Sequence, residues 1–280
     1  MKKIIWVSSY PKSGNTWIRS LLVNYFYNYT KDFDSLKILN KIDKFPNPEH
    51  LKNFIKYNDI ETNPFKVADY WISLQKKILE EKNNFVFLKN HNALVSIAGQ
   101  EFTNELYTLG AIYIVRDPRD IAVSYFNFDK TLKMDKIIDR LVAKDLMCLV
   151  TKKNIYDIEI LGSWKFNYIS WRDGIKNIPK IIIKYEDLLD NTYDVFFDII
   201  SFISDLTGQE ISHEKIQSSI EKSSFTNLQK LEKKGFDEYK KEITFFNSGK
   251  ASQWKNKLNK NQLDKIYDSF YKEMCELKYI

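Results

Sequence analysis

Four short apolar runs in this chain each stop abruptly at a polar or charged cluster, and helical patterns fill much of the sequence between them. Lys3–Ser9 runs straight into Tyr10-Pro11-Lys12-Ser13-Gly14-Asn15-Thr16, and Phe85–Lys89 into Asn90-His91-Asn92. Gly110–Val115 stops at Arg116-Asp117-Pro118-Arg119-Asp120, and Lys180–Lys184 at Tyr185-Glu186-Asp187. Near-continuous β-branched and aromatic runs of this length read as strands covered on both faces. Ile18, Leu21, Leu22, Tyr25 and Phe26 recur at helical spacing after the first run, and Ile121, Val123, Ser124 and Phe126 do so after the third. Another helical pattern, Val67, Tyr70, Trp71, Leu74 and Ile78, precedes the second. Strands alternating with helices predict an α/β fold in three layers, a central, mainly parallel sheet of about four or five strands flanked by helices.

The remaining stretches are less regular. Asp32–Pro64, broken by Pro46, Pro48 and Pro64, reads as loop with short helical turns. Lys130–Ile175 reads as mostly helical, with Trp164 and Trp171 on one face, and a further helix is expected over Leu188–Phe202. From Ser212 the chain is helical and polar, interrupted near Gly235 and over Phe245–Ser252. With no repeat, linker or low-complexity tract, residues 1–280 are expected to form one domain. Only 8 Gly and 6 Pro in 280 residues argue against a turn-rich all-β fold and against disorder.

Two cysteines, Cys148 and Cys275, are too few for a disulfide framework and favour a reducing compartment. The apolar run after Met-Lys-Lys is too short for a signal peptide, and nothing approaches the ~18 apolar residues of a membrane span. A cytoplasmic protein without a membrane partner is the expectation. The net charge of +6 suits a small anionic ligand, and nucleic-acid binding would want stronger basic clustering.

In an open parallel sheet, ligands bind outside the carboxyl ends of the strands. The clusters that follow the four runs would therefore share one edge: Lys12-Ser13-Gly14-Asn15-Thr16, Lys89-Asn90-His91, Arg116, and Tyr185-Glu186-Asp187. That is an anion site with a candidate base. Gly14 lets the backbone pass close to a ligand, the new helix aims N–H groups at it, and Lys12 adds a point charge. The turn is P-loop-like but not Walker A, because here the lysine precedes the glycine. Its bland reading is a helix cap with an ordinary turn glycine. Arg116 with Asp117 and Asp120 has one too, a structural ion-pair cluster, and Trp17 and Phe225 could be plain core.

These residues resemble the cytosolic-type sulfotransferases that use 3′-phosphoadenosine 5′-phosphosulfate (PAPS). Tyr10–Trp17 is similar to their Tyr-Pro-Lys-Ser-Gly-Thr-Thr-Trp loop, with Asn15 for the first Thr. Arg116 and Ser124 match their 3′-phosphate segment, Lys89-Asn90-His91 their Lys-Thr-His, Tyr185–Asp187 their Tyr-Glu-Asp, and Ser223-Ser224-Phe225 their Thr-Ser-Phe. The motifs keep the family order from residue 4 to about 257. The resemblance implies that Lys12, Ser13, Gly14, Asn15 and Thr16 hold the 5′-phosphosulfate, and that Lys12 neutralises charge on the leaving phosphate. It implies that His91 takes the acceptor's proton, with Lys89 beside the sulfuryl oxygens. Arg116 and Ser124 would bind the 3′-phosphate, and Trp17, Tyr185 and Phe225 would enclose the adenine, helped by Ser223. No metal is implied, and no acidic residue lies between Ser8 and Trp17 to hold one. The product would be 3′-phosphoadenosine 5′-phosphate (PAP).

The family's C-terminal Arg-Lys-Gly-x-x-Gly-Asp-Trp-Lys segment falls on Asn247-Ser248-Gly249-Lys250-Ala251-Ser252-Gln253-Trp254-Lys255. Arg is Asn247 and Lys is Ser248, so Ser248, Gly249 and Lys250 would contact the 3′-phosphate with Lys250 as the substitute cation. The family's dimer motif falls on Lys255, Asn259, Lys260 and Asp264 without its apolar centre, which implies a monomer or a dimer built elsewhere. Asn167 stands where a His often follows Gly-Ser-Trp. The acceptor would be a small molecule or glycan presenting a hydroxyl, or an amine, with its pocket drawn from Phe45–Trp71 and Tyr125–Lys165. The rival readings are a nucleotide-dependent phosphotransferase, which would need Mg²⁺, and a non-catalytic nucleotide-binding protein on the same scaffold.

Overall fold

Ile4–Ser9 (β1) is buried at every position, as a central strand must be when both its faces and both its edges are covered. It pairs in parallel with Val86–Asn90 (β3) on one edge and Thr108–Val115 (β6) on the other. The short Asp43–Lys44 (β2) extends the sheet beside β3, and Lys180–Lys184 (β9) closes the order β2-β3-β1-β6-β9. The fold class is α/β with a five-stranded, mainly parallel sheet, as expected. The computed structural model describes residues 3–27, 36–81, 84–146, 148–151, 154–234, 246 and 249–280. Asn247, Ser248 and Gly235 lie outside the described residues.

Two antiparallel hairpins accompany the sheet: Ser96–Ile97 (β4) with Gln100–Glu101 (β5), and Cys148–Thr151 (β7) with Asn154–Ile160 (β8). The second hairpin corrects the helical reading of Lys130–Ile175. Asp157-Ile158-Glu159-Ile160 alternates with period two, and both isoleucines are fully buried, so a β-branched alternation outweighed the helical pattern around it.

The helices, in chain order, are α1 (Asn15–Phe26), α2 (Pro48–Leu51), α3 (Tyr57–Thr62), α4 (Trp71–Glu80), α5 (Pro118–Phe128) and α6 (Met134–Leu141). They continue with α7 (Trp164–Asp173), α8 (Tyr185–Asp190), α9 (Thr192–Thr207), α10 (His213–Lys222), α11 (Phe225–Lys234) and α12 (Lys260–Glu276). Tyr185 opens α8, so helix begins three residues before the Leu188 expected from periodicity.

By internal contacts the chain forms two compact units. One comprises the chain up to Tyr10 with Ile42–Ile114 and Ala143–Ile182; the other comprises Pro11–Lys41, Val115–Val142 and Ile183–Ile280. The first is built on the sheet, and its core is aromatic. Trp6 packs on Phe45 and Phe102 at ring separations of 5.2 and 5.1 Å, and Trp71 packs on Phe102 at 5.2 Å. Phe45, Trp71 and Trp164 are fully buried core, which removes them from the stretches expected to line an acceptor pocket.

The second unit is helical. Ile18, Leu21 and Leu22 of α1 are fully buried, and α10 packs against that helix. Arg119 is 3% exposed, pairs with Asp117 at 2.6 Å, donates to the Tyr279 carbonyl at 2.7 Å and lies 3.9 Å over the Trp254 ring. A fully satisfied buried arginine of this kind holds the C-terminus and α5 in one arrangement. Asn259, in the region of the family's dimer motif, caps α12 in a reciprocal capping box with Gln262.

Candidate active site

The turn after β1 is shaped by backbone conformations that few residues tolerate. Lys12 has φ 70° and Gly14 φ 104°, and Gly14 caps α1 with no side-chain hydrogen bond. A Cβ at Gly14 would fall 2.6 Å from Tyr185 Cδ2, so the glycine is needed for both conformation and clearance. At this N-terminus the first N–H groups of α1 have no acceptor within the helix, and no acidic side chain occupies the first turn. Ser13 is fully buried, and its Oγ has no hydrogen-bond partner. A buried hydroxyl left unpaired costs about 1–3 kcal/mol unless a ligand supplies the acceptor. The donors and the clearance fit a phosphate or sulfate group held by its oxygens.

The charge of Lys12 is tuned. Burial, and then the positive charge of Arg116, lower its pKa to about 7 against an opposing pull from Glu232. The ammonium lies 3.9 Å over the Phe128 ring. Arg116 follows β6 directly and is 6% exposed. It donates to the Lys12 carbonyl at 3.1 Å and the Lys250 carbonyl at 3.4 Å, and lies 4.2 Å over the Tyr185 ring. Of the two acids beside Arg116, Asp117 pairs with Arg119 at 2.6 Å, while burial raises the Asp120 pKa and the Arg116 charge pulls it down against that rise. Asp120 accepts from Ser252 N at 2.6 Å and Trp254 N at 3.1 Å, which pins the segment after Lys250.

Trp17 meets Tyr185 edge-on at 5.9 Å, and its indole donates to the Ser223 carbonyl at 3.1 Å. The Ser223 hydroxyl, fully buried, is engaged by Ser20 Oγ at 2.8 Å and Asn24 Nδ2 at 3.1 Å, so this residue ties α1 to the turn before α11. Phe225 lies under Gly249, where a Cβ would come within 2.7 Å of the ring. Lys250 has an exposed side chain, and Ser124 is half-buried on α5. The second unit thus brings together Lys12–Trp17, Arg116, Tyr185, Ser223, Phe225 and the Gly249-Lys250 backbone. The expected contact at Ser248 lies outside the described residues.

The first unit holds the candidate base. His91 follows β3, and its Nδ1 lies 2.8 Å from the Ser9 carbonyl and 3.2 Å from Ser9 Oγ. A carbonyl can only accept, so Nδ1 carries the proton and Nε2 is left with a free lone pair. Burial drives the His91 pKa down to about 4; Glu159 opposes that, while Lys89 and Lys44 add to it. The imidazole is therefore neutral at pH 7, the state a proton acceptor needs. Asn90 donates to Ser8 Oγ at 2.8 Å. Asn167 donates to the His91 carbonyl at 3.0 Å and accepts from Tyr113 OH at 2.8 Å, so it holds the backbone of the candidate base. Lys89 is 8% exposed on β3.

Phe128 and Glu159 fall inside the Tyr125–Lys165 stretch but no motif singles them out, and Lys44 lies just outside Phe45–Trp71. The Asp157–Ile160 alternation was the one available signal, while a two-residue strand around Lys44 leaves no trace in composition or period.

The profile of the family described as "Sulfotransferase domain" matches residues 2–278. The chain belongs to that family. Among its relatives, the "Amine sulfotransferase" of Oryctolagus cuniculus is 23% identical, over 99% of this chain and 83% of that protein. "Sulfotransferase 1A1" of Rattus norvegicus is 25% identical, over 98% and 86%. Mouse sulfotransferase SULT7A1, solved with PAP, shares the fold at a TM-score of 0.58 and 14% identity over 98% of this chain and 85% of that one. Retinol dehydratase, solved with retinol and PAP, shares it at 0.61 and 20% over 98% and 82%. The sulfotransferase fold is thus present along the chain's length, and its enzyme class is sulfuryl transfer.

Gly14→Ala isolates the turn's contribution in this sulfotransferase. A side chain held at φ 104° and driven against Tyr185 is expected to cost about 1–3 kcal/mol. The melting temperature should fall by several degrees, at ~2–4 °C per kcal/mol for a chain of this size. An unchanged melting curve would show that the turn relaxes freely.

Among the described residues no group of three or more His, Cys, Asp or Glu is arranged to hold a metal, and no helix is long and apolar enough to cross a membrane.

Proposed function

We propose that this sulfotransferase takes its sulfuryl group from PAPS and passes it in line to an acceptor hydroxyl, or an amine, on a small molecule or glycan. The observation that carries the proposal is the cradle at Lys12–Thr16, where a glycine at φ 104° clears space beside Tyr185 and a buried serine hydroxyl lacks a partner. Backbone N–H groups, Ser13, Asn15 and Thr16 hold the 5′-phosphosulfate. Lys12 offsets the charge that collects on the departing phosphate oxygen. Arg116 and Ser124 take the 3′-phosphate with the Gly249-Lys250 segment, and Trp17, Tyr185 and Phe225 enclose the adenine.

At the acceptor end His91 Nε2 takes the proton as the new sulfur–oxygen bond forms, and Lys89 stands by the sulfuryl oxygens. Lys12 is only three residues along the chain from Ser9, whose carbonyl orients His91. The reading includes a cytoplasmic location, a single functional domain, no metal requirement, and a monomer or a dimer that avoids the usual motif.

Metal-free thermal stability is the test. PAP at ~100 times its Kd adds about 2.7 kcal/mol, or ~5–10 °C for a chain this long. A rise with PAP or PAPS in EDTA is expected. A rise only with ATP and Mg²⁺ would favour phosphotransfer, and no rise with any of them would leave the scaffold without a donor site.

A further inference from the structure

His91 sits in a charged neighbourhood that the transfer scheme leaves unused. Lys44 of β2 is in register with Lys89 of β3, and Asp157 and Glu159 lie on β8. Lys44 pairs with Asp157, and its Nζ also lies 2.7 Å from Glu159 Oε1. Glu159 is 8% exposed. Its place beside the histidine loop is set by the backbone: Ile160 N donates to Asn92 Oδ1 at 2.8 Å, and Ala93 N donates to the Ile160 carbonyl at 2.7 Å.

Protonating a part-buried imidazole without a counter-charge is costly. Around His91, burial and the two lysines oppose the imidazolium; Glu159 and the Ser9 carbonyl favour it. Glu159 is in turn held ionised. Burial alone would raise its pKa, but Lys44, His91 and Lys89 together bring it down to about 2. Two cations and two carboxylates leave the cluster neutral until His91 gains a proton, so it has no net charge with which to attract a cationic acceptor. Two α-helices pack on β8: α2 carries Glu49 and His50, with Glu49 paired to Lys52, and α3 carries Asp59 and Glu61, with Asp59 paired to Lys66. The partner strand β7 brings Cys148, whose thiol pKa is pushed up to about 12 by burial and by Glu159.

We propose that Glu159 is a positioning residue for the transfer step, its carboxylate pinned by Lys44 and serving as counter-charge for the imidazolium that His91 becomes. In that step the acceptor's O–H or N–H bond breaks and its proton goes to Nε2. The acceptor lone pair forms the bond to sulfur, and the sulfur–oxygen bond to the phosphate breaks, its electrons leaving with the phosphate. The inference rests on His91 acting as the base.

The test needs no acceptor. The protein has 3 histidines, so ¹⁵N-imidazole NMR can follow His91 through a pH titration, assigned with His91→Asn. Glu159→Gln is expected to lower the His91 midpoint by about one pH unit or more, a tenfold change in proton affinity, as loss of a neighbouring opposite charge does. Glu159→Asp should restore most of it, and Lys44→Met should move the midpoint upward. His213, on α10, should not respond. A purely structural ion pair predicts no change in the His91 midpoint, and that result would overturn the proposal. If Glu159→Gln does not fold, Glu159→Asp and Lys44→Met carry the same test, and an unmoved midpoint in Lys44→Met overturns it equally. His91→Ala with full transfer activity would instead remove the base assignment while leaving any measured coupling intact.

Discussion

His91→Ala should lower sulfuryl transfer by about 10²–10⁴-fold while leaving PAP affinity within about twofold. The size follows from the proton. An acceptor hydroxyl attacking sulfur becomes strongly acidic as the bond forms, and a base in place removes the proton without rearrangement of water. The Ser9 carbonyl fixes the His91 tautomer and burial keeps the ring neutral, the state the proposed role requires. Nucleotide affinity should hold because the cradle residues belong to a different segment of the chain. Initial rates with 4-nitrophenol and with benzylamine, set beside PAP titrations, check both halves. Transfer that persists at the wild-type rate would remove His91 from the chemistry.

Lys12→Ala should reduce the rate by about 10²–10³-fold and weaken PAP binding much less, if its charge acts mainly where negative charge develops. Equal losses in rate and affinity would make Lys12 a binding residue only. The same lysine predicts a proton signature. Its pKa in the ligand-free protein is about 7, lowered by burial and by Arg116, so at pH 8 much of it is neutral. An arriving phosphate raises that pKa, because it supplies the missing opposite charge. Binding should therefore take up protons above pH 7, approaching one per PAP, and affinity should fall as pH rises through the same window. Calorimetry in two buffers of different ionisation enthalpy measures the uptake. Lys12→Ala should abolish it; uptake that survives would place the titrating group elsewhere.

How much of this was legible beforehand differs from residue to residue. The run Ile4–Ser9 followed by Lys12–Trp17 could be read directly, because a strand buried at all six positions and a glycine at a helix start leave local signatures in hydropathy and residue type. Arg116 could be read as following a strand. Its partners could not, since Asp117 is adjacent in sequence and pairs instead with Arg119. Ser223 was recognisable by motif, but the two side chains that occupy its hydroxyl come from α1, some 200 residues earlier.

Local physics therefore determined the strands, the glycine turn and the identity of the donors, since period, β-branching and backbone permissiveness act over a few residues. Tertiary structure decided the electrostatics. Lys12 is drawn toward neutrality by burial and by an arginine 104 residues away along the chain, and His91 is kept neutral by burial and held by a carbonyl 82 residues away. Glu159 reaches the histidine loop only because the tip of β8 bonds to Asn92 and Ala93. Desolvation and charge pairing depend on distances in space, and a sequence records only distances along the chain.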